Sequence, residues 1–182
     1  MTALTRPRMT VDEFFTWAEG RPGRHELYKG EVYTMSPETV GHAETKAAVY
    51  MALLAAIRKR SVPCYVLPDG MTVRIDQTTA FVPDAVVYSG EIPQTAIEVP
   101  NPVIVVEVLS PSTRQFDASI KLTGYFKLLS VAHYLIVEPT EPTIVHHSRA
   151  SDGNILTRVI ADGIIVLNPP GLELAVADIY NG

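Results

Sequence analysis

The chain has 182 residues, 47% hydrophobic and 19% charged, a balance that suits one soluble globular domain spanning 1–182. Twenty acidic against fifteen basic residues give a net charge of −5, which argues against a wholly basic, sequence-independent nucleic-acid binder but not against a local basic groove. A single cysteine, Cys64, excludes an intrachain disulfide framework and a multi-thiolate zinc site. The reducing cytoplasm is the natural compartment, since Met1–Met9 lacks an apolar core of signal-peptide length and no apolar run is long enough to span a bilayer.

In chain order, Thr10-Val-Asp-Glu13 fits a capping box and predicts a short helix over 11–19. His25-Glu-Leu-Tyr28 and Glu31-Val-Tyr-Thr-Met35 flank Lys29-Gly30 as a hairpin. Ser36-Pro37-Glu38 resembles a helix start. The longest helical pattern runs from Thr39 to Arg60, with Val49, Leu53, Ala56 and Ile57 at helical spacing and Arg58-Lys-Arg60 suited to a C-terminus. Strands are predicted at 65–67, 71–75 and 81–88, with a turn at Asp69-Gly70. The stretch 89–102 reads as a loop on its glycine and prolines.

Val103–Leu109 is a nearly continuous apolar run, as for a strand buried on both faces. Ser112-Thr-Arg-Gln115 fits a second capping box and opens a helix to about Leu129, with Leu122, Tyr125 and Leu129 as its apolar stripe. Tyr134–Val137 is a further strand. Thr143–His147 and Ile155–Ile160 form a hairpin around Asp152-Gly-Asn154, and Ile164–Leu167 adds a last strand. The order predicts a mixed sheet with helices on its faces.

Three short pieces carry the chemistry. Alternation puts Glu107 on one strand face with Val103, Val105 and Leu109, as the only charge in its run. Asp84 follows Phe81-Val-Pro83 and precedes Ala85-Val-Val87. If the two strands are neighbours, both carboxylates converge near a sheet edge, where they repel unless a cation balances them. Mg²⁺ suits such a site because it takes few carboxylates and keeps several waters. Lys121, on the following helix, would then stabilise a phosphorane-like transition state or orient the attacking water. The same residues have an ordinary reading: acids at strand ends accept backbone hydrogen bonds or pair with Arg74 or Arg114, and Asp117 lies four residues before Lys121.

Asp84, Glu107 and the displaced Lys121 resemble a PD-(D/E)XK nuclease core whose lysine has migrated from the strand to the next helix. The chain further resembles the Uma-type (DUF820) restriction-endonuclease-like family through His25-Glu-Leu-Tyr-Lys-Gly-Glu31, Met35-Ser-Pro37, Gly41-His42, Val82-Pro-Asp84, Val105-Val-Glu-Val-Leu-Ser-Pro-Ser-Thr113, Lys121-Leu122 and Tyr134-Leu-Ile-Val-Glu-Pro139, in the family's order. The resemblance implies Asp84 and Glu107 as metal ligands, Lys121 as catalytic lysine, and Glu26 and His42 completing the site. Leu109 stands where the lysine of the superfamily's E-x-K motif would be.

The expectation is an α/β, restriction-endonuclease-like domain. Its mixed central sheet is flanked by the 39–60 and 112–129 helices, with a C-terminal β-hairpin. The expected reaction is Mg²⁺- or Mn²⁺-dependent hydrolysis of DNA. No helix-turn-helix or zinc-finger pattern is visible, so sequence recognition falls to loops, a homodimer or a partner protein. Two alternatives stay open: a non-catalytic nucleic-acid- or protein-binding member of the same fold, and a metal hydrolase of a small phosphorylated substrate. His146-His147 reads as a plain surface strand, because adjacent strand residues point to opposite faces. Cys64 reads as core, and Trp17 and the tyrosines show no RNA-stacking pattern.

Overall fold

The computed structural model describes residues 8–110 and 117–181. Helix α1 (Val11–Ala18) starts at the Thr10 capping box, in which Thr10 and Glu13 satisfy each other's backbone N–H groups. The hairpin β1 (His25–Tyr28) and β2 (Glu31–Thr34) turns at Lys29 and Gly30, both at positive φ, the geometry of a two-residue primed turn. Helix α2 (Val40–Arg60) is capped by the Thr39 hydroxyl, which accepts from His42 N–H. The cap therefore falls three residues beyond Ser36. Its apolar side, Val49, Leu53, Ala56 and Ile57, is buried as its spacing requires.

Strands β3 (Cys64–Pro68), β4 (Val73–Asp76), β5 (Thr79–Phe81), β6 (Ala85–Ser89) and β7 (Pro102–Val108) follow. Asp69-Gly70 turns the chain but closes no hairpin, because β3 pairs with β6 and β4 with β5. The predicted strand 81–88 is two strands in different sheets. Pro83 has no N–H to give a ladder, and the backbone crosses from one sheet to the other around it.

A wide π-type turn, Asp117–Lys121, leads into α3 (Leu122–Tyr125). The predicted helix to Leu129 is thus cut short, and Leu129 is 88% exposed rather than part of an apolar stripe. The capping box at 112–115, and Arg114 with it, lie outside the described residues. Then come β8 (His133–Glu138), β9 (Thr143–Arg149), β10 (Ile155–Ile160), β11 (Ile164–Leu167), β12 (Leu172–Ala175) and α4 (Ala177–Tyr180).

Among the described residues the strands form a six-stranded sheet, β10-β9-β8-β7-β6-β3, a four-stranded sheet, β2-β1-β5-β4, and the β11–β12 hairpin. In the large sheet β7 and β8 run parallel and the other pairs antiparallel. The connection from β7 to β8 is long, as a parallel crossover must be. One face of the sheet packs on α2, the β11–β12 hairpin and α4 through residues such as Leu53, Ile104, Leu135 and Leu172. The other packs around Phe81, Tyr125 and Tyr134. Cys64 is buried in the first core.

His146 and His147 are both buried, against the expectation of a surface strand. They lie on β9, between β8 and β10 in the large sheet, where the side chains beside them on each face cover both. They do point to opposite sides: His146 meets His133 at 2.9 Å, while His147 bonds Thr157 and stacks on Tyr134.

Gly124 fixes the second core tightly, since a Cβ there would stand 2.6 Å from Phe81 Cε2, within a fully buried ring. Gly124→Ala is expected to push Phe81 off Tyr125 and destabilise the fold by about 1–3 kcal/mol, read as a lowered denaturation midpoint. An unchanged midpoint would show that the ring has room to move.

Candidate active site

β6 and β7 carry the two acids together. Ala85 pairs with Val106, and just before it Asp84 N–H donates to Val106 O at 3.0 Å. Asp84 Oδ2 in turn accepts from Val108 N–H at 2.7 Å. Asp84 is thereby bonded to the backbone on both sides of Glu107, and both residues border one cavity of about 470 Å³.

Glu107 sits inside a chain of buried polar groups. Lys121 Nζ lies 2.9 Å from Glu107 Oε1 and 2.9 Å from Glu26 Oε1. Tyr125 OH donates to Glu107 Oε1 at 2.7 Å, and Val82 N–H donates to Glu26 Oε1 at 2.8 Å. Lys121 is 1% exposed, Glu107 2% and Glu26 5%, so the lysine points into the protein and bridges two carboxylates. The Val82 bond also explains the break between β5 and β6, because a side chain takes the N–H that a continuing ladder would use. Burial first, then the Glu107 and Glu26 charges, push the Tyr125 hydroxyl well above its usual pKa, which keeps it a proton donor.

His42, in the first turn of α2, places Nε2 2.9 Å from Val108 O. A carbonyl only accepts, so Nε2 carries the proton and Nδ1 of the neutral ring holds a lone pair. That Nδ1 is 3.9 Å from Glu38 Oε2. Among the described residues the buried side-chain atoms without a hydrogen-bond partner are His42 Nδ1, Asp84 Oδ1 and Arg24 Nε. All three belong to residues lining the same cavity. Native interiors rarely leave such atoms unsatisfied, which makes this cavity the candidate site.

A second charged group adjoins Asp84. Lys46 forms ion pairs with Glu38 and Asp69, Arg24 pairs with the same two acids, and Asp84 Oδ1 stands 3.4 Å from Lys46 Nζ and 3.9 Å from Arg24 Nη2. Burial drives the Asp84 carboxyl above its ordinary pKa, and the Val108 N–H bond and the Lys46 charge only partly offset it. Burial alone would lower Lys46, but its bonds to Asp69 and Glu38 prevail and raise it, so it stays an ammonium.

A family model described as "Putative restriction endonuclease" matches residues 11–177. The chain belongs to that family, Uma2. Two relatives from Synechocystis sp. are both described as uncharacterized proteins. One, slr1290, is 26% identical over 179 residues, covering 97% of this chain and 93% of its own. The other, sll1609, is 22% identical over 166 residues, covering 89% and 93%. The fold matches that of a solved Anabaena variabilis protein described as a putative nuclease belonging to DUF820, with a TM-score of 0.75 at 17% identity over 95% of this chain and 98% of that one.

Sequence reading of this Uma2 chain missed Arg24, Glu38, Lys46 and Asp69. A signal existed for Lys46, which shares a helical stripe with Val49 and Leu53 and so had to be buried. Glu38 directly follows the Met35-Ser-Pro37 stretch. Asp69 carried no signal beyond its turn. Arg74, considered as a partner for the strand-end acids, instead binds Asp12 and Glu98.

Proposed function

We propose that this protein is a metal-dependent endonuclease that hydrolyses phosphodiester bonds in DNA. The observation that carries the reading is the Lys121 ammonium, held between Glu26 and Glu107 in the cavity that Asp84 also lines. Asp84 and Glu107 would hold Mg²⁺ or Mn²⁺, and the buried Asp84 Oδ1, which accepts no hydrogen bond, fits a hard cation's need for oxygen donors. Bound there, such an ion supplies Lewis-acid polarisation of the phosphoryl group and a more acidic water.

The remaining work falls to the chain itself. Glu26 fixes Lys121 so that its charge is in place before the transition state develops. Val108 N–H orients Asp84, and Tyr125 orients Glu107. His42 presents its Nδ1 lone pair as a proton acceptor near the reacting phosphate. The first turn of α2, which borders the cavity at Thr39 and His42, adds the partial positive charge of a helix N-terminus, favourable to an anionic substrate.

The test is cleavage of supercoiled, linear and single-stranded DNA with Mg²⁺ or Mn²⁺. Glu107→Gln and Lys121→Ala are each expected to slow cleavage by about 10²–10³-fold, the usual loss for one preorganised charge-stabilising group. Undiminished cutting by both would overturn the site. One observation favours a second reading, hydrolysis of a small phosphorylated substrate: the cavity volume lies within the range of small-ligand pockets. A nucleotide or aryl phosphodiester cut where DNA is not would select it.

A further inference from the structure

Leu109 stands two residues past Glu107, in the place of the lysine of an E-x-K strand. Its N–H still bonds Val137 O at 2.8 Å, so the backbone stays in register with β8 just beyond the end of β7. Leu109 therefore follows Glu107 on the same strand face, roughly 7 Å further along. It is half-buried and borders the cavity together with Met35, Pro37 and Pro139. The cavity thus has a charged end, at Asp84, Glu107 and Lys121, and an apolar wall that starts one sugar's length away.

Two observations limit what reaches the charged end. Asp84, Glu107 and Lys121 are each no more than 4% exposed, and the cavity they border, about 470 Å³, has room for one drug-sized ligand. A phosphate inside a paired duplex is flanked by stacked neighbours on both sides and cannot enter such a space without its own nucleotide. The cations of the site are also committed. Among the described lining residues Arg24 and Lys121 carry full positive charge, and Arg24 pairs with Glu38 and Asp69 while Lys121 pairs with Glu26 and Glu107. A grip on duplex DNA depends on many phosphate contacts made by uncommitted cations. Here the apolar wall has to supply the affinity.

We infer that the substrate enters as one unpaired nucleotide, with its base packed against Leu109, Met35, Pro37 and Pro139 and its phosphate at Asp84, Glu107 and Lys121. The inference rests on the proposed nuclease reading for the phosphate end alone. Single strands, bulges and frayed ends offer such a nucleotide directly, whereas a paired one must first be extruded from its stack at a cost. Apolar side chains hold the face of a base without reading its edge, so the selection is for unpaired structure and not for sequence. Leucine in the lysine's place gives the strand end a base-packing surface, while Lys121 brings the cation from the turn before α3.

The test is fluorescence anisotropy of labelled DNA at one salt concentration, with Ca²⁺ in place of Mg²⁺. The probes are a closed, fully paired dumbbell, the same dumbbell with one bulged nucleotide, and a single strand. Wild-type protein is expected to bind the bulged dumbbell and the single strand about tenfold or more tighter than the paired dumbbell, the gain of one packed base. The double variant Met35→Ala, Leu109→Ala should bring all three within about threefold of one another. With Mg²⁺ or Mn²⁺, wild type should cut beside the bulged nucleotide.

Equal binding of paired and bulged dumbbells by wild type would overturn the inference, as would an undiminished preference in the folded double variant. If that variant does not fold, 2-aminopurine decides in the wild-type chain. Placed at the bulge it must change its emission on binding, and placed one pair away it must not; any other result sinks the pocket. Cutting of the paired dumbbell as fast as the bulged one would leave the nuclease reading standing and remove this one. Tight, bulge-dependent binding without cleavage in either metal would do the reverse.

Discussion

Lys121→Met is expected to cost about 3–5 kcal/mol of stability at neutral pH and to slow cleavage at least as much as Lys121→Ala, because it leaves two buried carboxylates facing each other without their shared cation. Glu26 keeps the Val82 N–H and Glu107 keeps the Tyr125 hydroxyl, yet neither partner carries charge. Urea denaturation at pH 7 reads this deficit directly.

A second variant separates folding from chemistry. Adding Glu26→Gln to Lys121→Met removes one of the repelling charges, and should recover part of the stability while cleavage stays as slow. If Lys121→Met is as stable as wild type, the ammonium does not hold the two acids together. If the double variant regains cleavage along with stability, Lys121 is structural support and not a source of transition-state stabilisation.

The strands were legible in this sequence wherever a local pattern decided them. Val103–Leu109 could be little else than a doubly buried strand, and the α2 stripe and the Thr10 capping box are satisfied within a few residues. What escaped was set by contacts distant along the chain. The 81–88 run looks like one strand until Glu26, more than fifty residues earlier, takes the Val82 N–H. Leu129 continues an apolar period, but the chain leaves the helix at Tyr125 and turns toward β8.

The candidate site divides in the same way. Asp84, Glu107 and Lys121 stand out because each is a charge next to an apolar run, and Glu26 and His42 came only through family resemblance. Arg24, Glu38 and Asp69 sit in segments that look like ordinary polar turns. Their proximity depends on how β1, β3 and the N-terminus of α2 meet, which no local pattern encodes.

Asp84→Asn is expected to divide stability from function in the opposite sense to Lys121→Met. Burial raises the Asp84 pKa in the folded protein above its unfolded value, even with the Val108 N–H bond and the Lys46 charge favouring the charged form. A raised carboxyl binds its proton more tightly when folded, so stability falls as pH rises from the unfolded pKa through the folded one. The ionised, metal-free site thus carries a cost above that window, and asparagine keeps the shape and the acceptor for Val108 N–H without the charge. Asp84→Asn should stabilise the metal-free protein by about 1 kcal/mol at neutral pH, with the gain vanishing in acid where Asp84 is itself neutral. Added Mn²⁺ should then reverse the order. The wild-type midpoint rises with ion concentration, as binding to the folded state alone requires, and the mutant's does not. Thermal melts at pH 7 with and without Mn²⁺ decide it: a mutant destabilised without metal, or stabilised by Mn²⁺ as much as wild type, would mean that Asp84 is held for its ion pairs with Lys46 and Arg24 and not for a metal ion.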